Sequence, residues 1–247
     1  MTLAVAKQIS ISLGIYKQAR ALHRQIFRSE GRKFSAHRKL FSQFVNRDDL
    51  VFDVGANIGS RSEVLLSLGA RVIAFEPQPI CAHEIRARGN RRLTVVEAAL
   101  GSSEGHADLH LKEANTQSSL LQGWEGTPDI DVLRVPVTTL DVSIKKFGIP
   151  KFCKIDAEGF EPEIFRGLSS PIPAMSFEYH CRPDDIASTQ TCLGLISKLG
   201  KFSVNAIGEE GTDWILPKWI SIQEFADTFP SCVQGHFYGD VYVRENN

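Results

Sequence analysis

The chain has 247 residues, of which 43% are hydrophobic, 23% charged and 9% aromatic, and its formal net charge is −1. This ordinary globular composition excludes disorder and low complexity, and no apolar run reaches the roughly 18 residues that a membrane-spanning helix needs. Five scattered cysteines form no Cys-x-x-Cys pair, and Lys7 and Gln8 interrupt the apolar run that a signal peptide would need. We therefore expect a reduced, cytoplasmic protein without a structural zinc site.

The first 47 residues are strongly basic, although the whole chain is nearly neutral. They contain ten Lys or Arg and one acid, a charge of +9, whereas the remainder of the chain carries −10. Apolar residues recur at helical spacing across residues 3–29 and again from about 34 to 45. The pattern predicts a basic helical extension, residues 1–47, ahead of a single domain, residues 48–247.

The sequence of this extension admits two explanations. Its apolar face packs on the sheet or on a second copy of the chain in a homo-oligomer, or it makes weak peripheral contact with an anionic membrane surface. Nucleic acid is not expected as a partner, because the rest of the chain is acidic and no aromatic residues are interleaved with basic ones.

Beyond residue 49 the hydrophobic pattern changes from helical to strand-like. Short β-prone segments are expected at residues 50–54, 71–75, 93–97, 151–156 and 174–178. Segments of helix length, residues 60–69 and 79–89, separate the first three of them. This alternation predicts an α/β fold built from right-handed βαβ units, with a mostly parallel sheet and helices on both faces.

Two later regions depart from that alternation. Residues 101–138 are expected to form two edge strands or a hairpin around a polar loop, residues 112–130. The tail is expected to contain strands at residues 202–207 and 236–243, with a helix near 220–228 between them.

The strongest chemical signal lies in residues 51–77, VFDVGANIGSRSEVLLSLGARVIAFEP. A strand ends on Asp53, a turn with Gly55 and Gly59 follows, and a second strand ends on Glu76, 21 residues after Gly55. Glycines let a backbone pass close to a ligand, a helix N-terminus offers free N–H groups, and an acid ending the second strand can accept both ribose hydroxyls. The segment therefore predicts a nucleotide site.

The order of residues in the turn favours S-adenosylmethionine over a dinucleotide. Asn57 occupies the place of the middle glycine of G-x-G-x-x-G, and an acid at position 53 suits an ammonium group and a sulfonium cation better than a pyrophosphate. Glu76 is predicted to bind the ribose of the cofactor, and Glu97 and Ala98 are predicted to lie beside its adenine. The residues predicted at the methionine end are Asp53, Gly55, Ala56, Asn57 and Gly59.

A second group of polar residues follows two later strands. Asp156 lies just beyond a buried-looking strand with Glu158 close behind it, and FEYH, residues 177–180, closes the next strand with Glu178 and His180. Ligands of open parallel sheets bind at the carboxyl ends of the strands, which favours a functional role for Asp156. Glu161, by contrast, is explained equally well as an acid in the first turn of a helix.

Six motifs, taken in order, resemble those of the FkbM-type methyltransferases. They are FDVGANIG (52–59), FEPQP (75–79), AALG (98–101), TTLD (138–141), KIDAEGFE (154–161) and FE (177–178). The resemblance covers about residues 50–180. It implies the Rossmann-like class I methyltransferase fold, whose seven-stranded sheet has an antiparallel last strand. It also implies O-methylation of hydroxyls on sugars, polyketides or related secondary metabolites, including sugars of nodulation factors.

In such a reaction the enzyme aligns donor and acceptor and removes the proton of the acceptor hydroxyl. We predict Asp156 as the group that does so, with Glu158 and His180 as alternatives. Asp156 and Glu158 could instead hold a divalent ion such as Mg²⁺, and the sequence leaves base and metal open. The predicted partner is a small-molecule or glycan acceptor.

Two other functions stay open at this point. The first is an NAD-dependent oxidoreductase, which Asn57 and the lack of a Tyr-x-x-x-Lys pair argue against. The second is a non-catalytic module that binds the cofactor, which the intact acids at 53, 76, 156 and 158 argue against.

Overall fold

The computed structural model describes residues 31–113, 118–126, 128–209 and 211–246. The strands are β1 (Leu50–Val54), β2 (Arg71–Phe75), β3 (Leu93–Val96), β4 (Ala99–Leu100), β5 (Gly105–Leu111), β6 (Asp131–Thr138), β7 (Phe152–Ile155), β8 (Ala174–His180), β9 (Phe202–Gly208), β10 (Ile220–Ser221) and β11 (Tyr238–Glu245). The helices are α1 (31–41), α2 (Ser60–Ser67), α3 (Pro79–Ala87), α4 (Leu140–Phe147), α5 (Glu161–Arg166), α6 (Pro183–Ser197) and α7 (Ile222–Thr228).

The main sheet confirms the predicted α/β fold with a mostly parallel sheet. Its strand order is β10-β9-β11-β8-β7-β1-β2-β3, and the strands from β8 to β3 run parallel to one another. The last strand, β11, lies between β8 and β9 and is antiparallel to both, as the resemblance implies. The sheet has eight strands instead of the expected seven, because the two-residue strand β10 pairs with β9 at its edge.

Residues 99–138 form a second, smaller sheet. β5 and β6 pair antiparallel as the predicted hairpin, and β4 adds to β6 in parallel. They do not continue the edge of the main sheet. β4, β5 and β6 therefore form a sheet that is separate from the main one.

The central strands are apolar because helices cover both faces of the sheet. All four residues of β7 are buried, as are the last four of β1, and continuous apolar runs are typical of parallel strands buried on both sides. One face is packed by α4, α5, α6 and α7, and the other by α1 and α2. The strand ends are thereby fixed, and residues that follow them are presented at one edge.

The helix predicted to begin near residue 34 already includes residue 31, the first described residue, and it ends at residue 41. The turn after it places the Phe44 ring on Phe152 of β7 and on Tyr242 of β11, with ring centroids 5.3 and 5.5 Å apart. Leu40, Phe41, Phe44 and Val45 therefore belong to the core on one face of the sheet. Residues 1–30 lie outside the described residues, so the division of the chain at residue 47 stays a prediction. Among the described helices, none is both long and apolar enough to cross a membrane.

Candidate active site

A cleft lies where β1, β2, β3 and β7 end, between the main sheet and the small one. Its walls include Gly55 and Glu76 from the first two strand ends, Ala98 beyond β3, and Asp156 beyond β7. The loop between β5 and β6 closes one side with residues 118–120.

The turn after β1 is shaped by three left-handed backbone positions. Gly55, Asn57 and Gly59 have φ angles of 71°, 49° and 84°. A Cβ atom on Gly55 would lie 1.7 Å from the carbonyl oxygen of Asp156, so only glycine fits there. The turn after β1 thus touches the loop after β7 directly, and Gly55 and Asn57 both line the cleft.

Glu76 lies at the cleft wall with its carboxylate almost completely buried. Its Oε2 accepts the Asn57 N–H at 2.7 Å, and its Oε1 accepts the Gln78 N–H at 2.8 Å. Burial raises the pKa of Glu76 to about 7, against the effect of these two N–H groups. A carboxylate oxygen has two lone pairs, so each oxygen retains the capacity to accept a neighbouring hydroxyl. Two adjacent oxygens of this kind fit the two hydroxyls of a ribose.

Asp53, Ala56, Gly59 and Glu97 lie outside the cleft lining, although the sequence predicts cofactor contacts for them. Asp53 is fully buried; its Oδ2 accepts the Ser62 hydroxyl at 2.6 Å, while its Oδ1 has no partner among the described residues. Ala56 packs in the interior, and Gly59 caps the N-terminus of α2. Glu97 pairs with Arg86 at 2.6 Å on the surface. Direct cofactor contact by these four residues stays a prediction.

Three acids converge on the other side of the cleft. Carboxylate oxygens of Asp156, Glu158 and Glu178 all lie within 4.8 Å of one another. Asp156 Oδ2 accepts a hydrogen bond from the Lys154 ammonium at 2.9 Å. Of these acids, Asp156 and Glu158 line the cleft. The sequence places Glu178 at the end of a strand, but only the pairing of β7 with β8 brings it beside the other two.

His180 also reaches this cluster, on β8 two residues beyond Glu178. Its Nε2 lies 3.2 Å from Glu178 Oε2, and both atoms are buried without a hydrogen bond to any described residue. The ring is covered by Tyr238, which stacks on it across the β8–β11 ladder with centroids 6.1 Å apart. The three predicted catalytic candidates are therefore brought together in space.

Burial and mutual repulsion determine the charge of this cluster. Burial, Glu178 and Asp156 raise the pKa of Glu158 to about 9, and burial followed by Asp156 and Glu161 raises the pKa of Glu178 well above its usual range. Burial alone would lower the pKa of Lys154, but the carboxylates facing it raise it instead. These effects favour a protonated Glu158 at neutral pH.

Trp124 is the site residue that the sequence did not predict. Its indole Nε1 donates a hydrogen bond to Glu158 Oε2 at 3.0 Å. The loop carrying it is also anchored by Ser119, whose hydroxyl donates to the Glu158 carbonyl oxygen at 2.7 Å. A large aromatic residue in a polar loop was the available signal, because such a ring packs against something when the loop folds.

A Rossmann-like sheet with a reversed last strand and a cleft at its carboxyl edge defines an α/β protein built to bind a nucleotide-type ligand. Residues 53–202 match the family model of the methyltransferase FkbM domain, which is more than half of the chain. The chain belongs to the FkbM methyltransferase family, which confirms the resemblance of its motifs.

The individual proteins that this chain resembles share little sequence identity with it. The hexuronic acid methyltransferase AglP of Haloferax volcanii is 25% identical over 142 residues, which span 56% of this chain and 58% of that protein. A TehB-like SAM-dependent methyltransferase from Corynebacterium glutamicum shares 12% identity over 92% of this chain and 100% of its own, with a TM-score of 0.46. Aeropyrum pernix fibrillarin with natively bound S-adenosyl-L-methionine shares 8% over 81% and 68%, with a TM-score of 0.44. These two structures are too dissimilar to bear on function.

Proposed function

We propose that this chain is an S-adenosylmethionine-dependent O-methyltransferase that acts on a hydroxyl of a sugar, a glycan or a related secondary metabolite. The observation that carries the proposal is one continuous cleft with Glu76 on one side and Asp156 and Glu158 on the other. Membership of the FkbM family supports methyl transfer. The similarity to a hexuronic acid methyltransferase supports a sugar acceptor.

One side of the cleft, which we call the donor half, consists of Gly55, Asn57, Glu76 and Ala98. There the left-handed turn would hold the methionine end, the two Glu76 oxygens the ribose hydroxyls, and the wall at Ala98 the adenine. The cofactor supplies a methyl group on a positively charged sulfur, which is already activated for transfer. The protein therefore has to align the acceptor with it and remove a proton.

The opposite side, which we call the acceptor half, consists of Asp156 and Glu158 in the cleft wall together with Glu178 and His180, which lie beside them outside the lining. Asp156 is the proposed base, because its carboxylate lines the cleft and Lys154 holds only Oδ2. That arrangement leaves Oδ1 to accept the proton of a hydroxyl. Glu158 and His180 are the proposed alternatives, since both lie within the same cluster.

A divalent cation is the second candidate for deprotonation, and the convergence of three carboxylates favours it. Oxygens of Asp156, Glu158 and Glu178 within 4.8 Å of one another are the hard ligands that Mg²⁺ takes, usually with several waters retained. Such an ion would lower the pKa of a bound hydroxyl, and it would replace the protons that Glu158 and Glu178 otherwise hold.

The test is incubation of the purified chain with radiolabelled S-adenosylmethionine and host extracts, followed by identification of the labelled product. We expect label in a base-stable methyl ether on a sugar or related metabolite. Calorimetric titration with S-adenosylhomocysteine and with NADH accompanies it. Binding of NADH alone would replace the proposal with an oxidoreductase, and S-adenosylhomocysteine binding without turnover on any extract would favour a non-catalytic module.

A further inference from the structure

Glu158 is held in an unusual backbone conformation. Its φ angle is 52°, in the left-handed region, and Gly159 follows with a φ angle of 91°. A Cβ atom on Gly159 would lie 2.3–2.7 Å from three carbon atoms of the Trp124 ring. The indole therefore occupies the space that the missing side chain leaves, and it packs against the turn that carries Glu158.

The loop between β5 and β6 is fastened at both ends. At its base, Asp129 pairs with Lys112 at 2.6 Å and with His110 at 2.7 Å. At its far end, Ser119 and Trp124 donate to the backbone and the side chain of Glu158. The loop thus reaches from the small sheet to a single acid of the main sheet.

The Trp124 indole packs between the loop after β7, which carries Glu158, and the end of β8, which carries Glu178 and His180. It meets the His180 ring edge to face, with centroids 5.4 Å apart, and the Arg182 guanidinium lies over the indole, 4.7 Å from the ring centroid. An indole has one N–H and no acceptor, so this geometry commits its donor to Glu158 Oε2.

We propose that Trp124 is a positioning residue for Glu158, holding its carboxyl in the cleft beside Asp156 and Glu178. The proposal rests on the proposed function, because it assigns the β5–β6 loop to the acceptor half of that site. Trp124 touches neither substrate; it acts through the orientation of Glu158.

The first test compares two Trp→Phe variants. Trp124→Phe removes the N–H and keeps an aromatic ring above Gly159, whereas Trp214→Phe makes the same change beside Tyr242, on the opposite face of the sheet. We expect Trp124→Phe to lower kcat about tenfold or more, the scale of a misplaced reacting group, with the KM for S-adenosylmethionine within about twofold. Trp214→Phe should leave kcat within about twofold. An unchanged kcat in a folded Trp124→Phe protein would overturn the proposal.

A double-mutant cycle then separates positioning from a general effect on the loop. In a Glu158→Ala background there is no carboxyl to position, so adding Trp124→Phe should cost little further activity. An equal loss in both backgrounds would show that Trp124 acts independently of Glu158 and would overturn the proposal.

A third measurement needs no activity. The chain contains three tryptophans, so its indole N–H resonances are few, and Trp124→Phe identifies one of them by its disappearance. Glu158→Ala should shift that resonance and accelerate its exchange with solvent, leaving those of Trp214 and Trp219 in place. An unmoved resonance overturns the positioning contact. A shifted resonance in a protein that methylates no acceptor overturns the proposed function alone.

Discussion

The two halves of the cleft are stabilised in different ways. In the donor half, the Glu76 carboxylate is held by two backbone N–H groups, and the adjoining turn is shaped by glycines. In the acceptor half, the acids are held by side chains: Lys154, two residues earlier on β7, holds Asp156, and Trp124 of the β5–β6 loop holds Glu158. A backbone cradle tolerates changes of neighbouring side chains, whereas a side-chain network is altered by each of them. The acceptor half is therefore the part of the cleft in which specificity can change.

The largest expected effect tests the separation of the halves directly. Asp156→Asn should reduce turnover about 100-fold or more, the scale of a lost base or metal ligand, and leave the affinity for S-adenosylhomocysteine within a few fold. Steady-state kinetics and calorimetry measure the two quantities, with Asp131→Asn on the exposed start of β6 as the control. Treatment with EDTA and restoration with Mg²⁺ decides between base and metal. Full activity would move the chemistry to Glu158 or His180.

The second prediction concerns the donor half, where a substitution should change cofactor affinity. Glu76→Ala should weaken the binding of S-adenosylhomocysteine by about 1.5–3 kcal/mol, because charge-assisted hydrogen bonds to the ribose are lost. Glu104→Ala, on an exposed bend that no predicted cofactor contact includes, is the matched comparison, and we expect a change below about twofold. If Glu76→Ala leaves the calorimetric affinity unchanged, the ribose is held elsewhere.

The pH dependence of stability sharpens the contrast. The folded-state pKa of Glu158, about 9, exceeds its ordinary value of 4.5, so the folded protein binds more protons than the unfolded chain between these pH values. The contribution of Glu158 to the stability of the metal-free protein should therefore fall as the pH rises from about 4.5 to 9. Glu158→Gln removes this penalty and should raise Tm at pH 8 by roughly 2–4 °C, the scale of 1 kcal/mol for a domain of this size.

Thermal unfolding in EDTA across this pH range measures the effect. Glu104→Gln, on an exposed turn, is the control and should follow the parent protein. A Tm difference between Glu158→Gln and the parent protein that stays constant across this pH range would mean that Glu158 is ionised in the fold.

The smallest effect concerns residues 1–30, which bring positive charge to a chain with an acidic cleft. If they dock the protein near a membrane-linked acceptor, weak co-sedimentation with anionic liposomes should decrease at high salt and disappear when these residues are deleted. Neutral liposomes are the control. Protein that stays in the supernatant at low salt would assign the segment to packing on the fold or on a second copy.

Most of the donor half could be predicted from the sequence because it is local. β1, the glycine turn and Glu76 lie within one βαβ unit, whose apolar runs and spacing determine the arrangement. What remained hidden there was orientation: the same motif contains Asn57, which lines the cleft, and Asp53, which does not.

The acceptor half depends on contacts between distant parts of the chain. Glu178 joins Asp156 through strand pairing, and Trp124 joins Glu158 across 34 residues from a polar loop without periodicity. The acids could be identified from the sequence, but local patterns did not assign Trp124 to Glu158, because that pairing is made only when the chain folds. The two-residue β10 was likewise too short to leave a pattern.

The placement of β11 has a consequence for synthesis on the ribosome. Chains emerge N-terminus first, and β1, β2 and β3 can pair as soon as about 100 residues are available. β8 and β9 are joined only through β11, residues 238–245, so Glu178 and His180 gain their final surroundings only after those residues have left the exit tunnel. A ribosome-stalled nascent chain ending before residue 238 would therefore have a complete donor turn but an open, unpaired edge at β8.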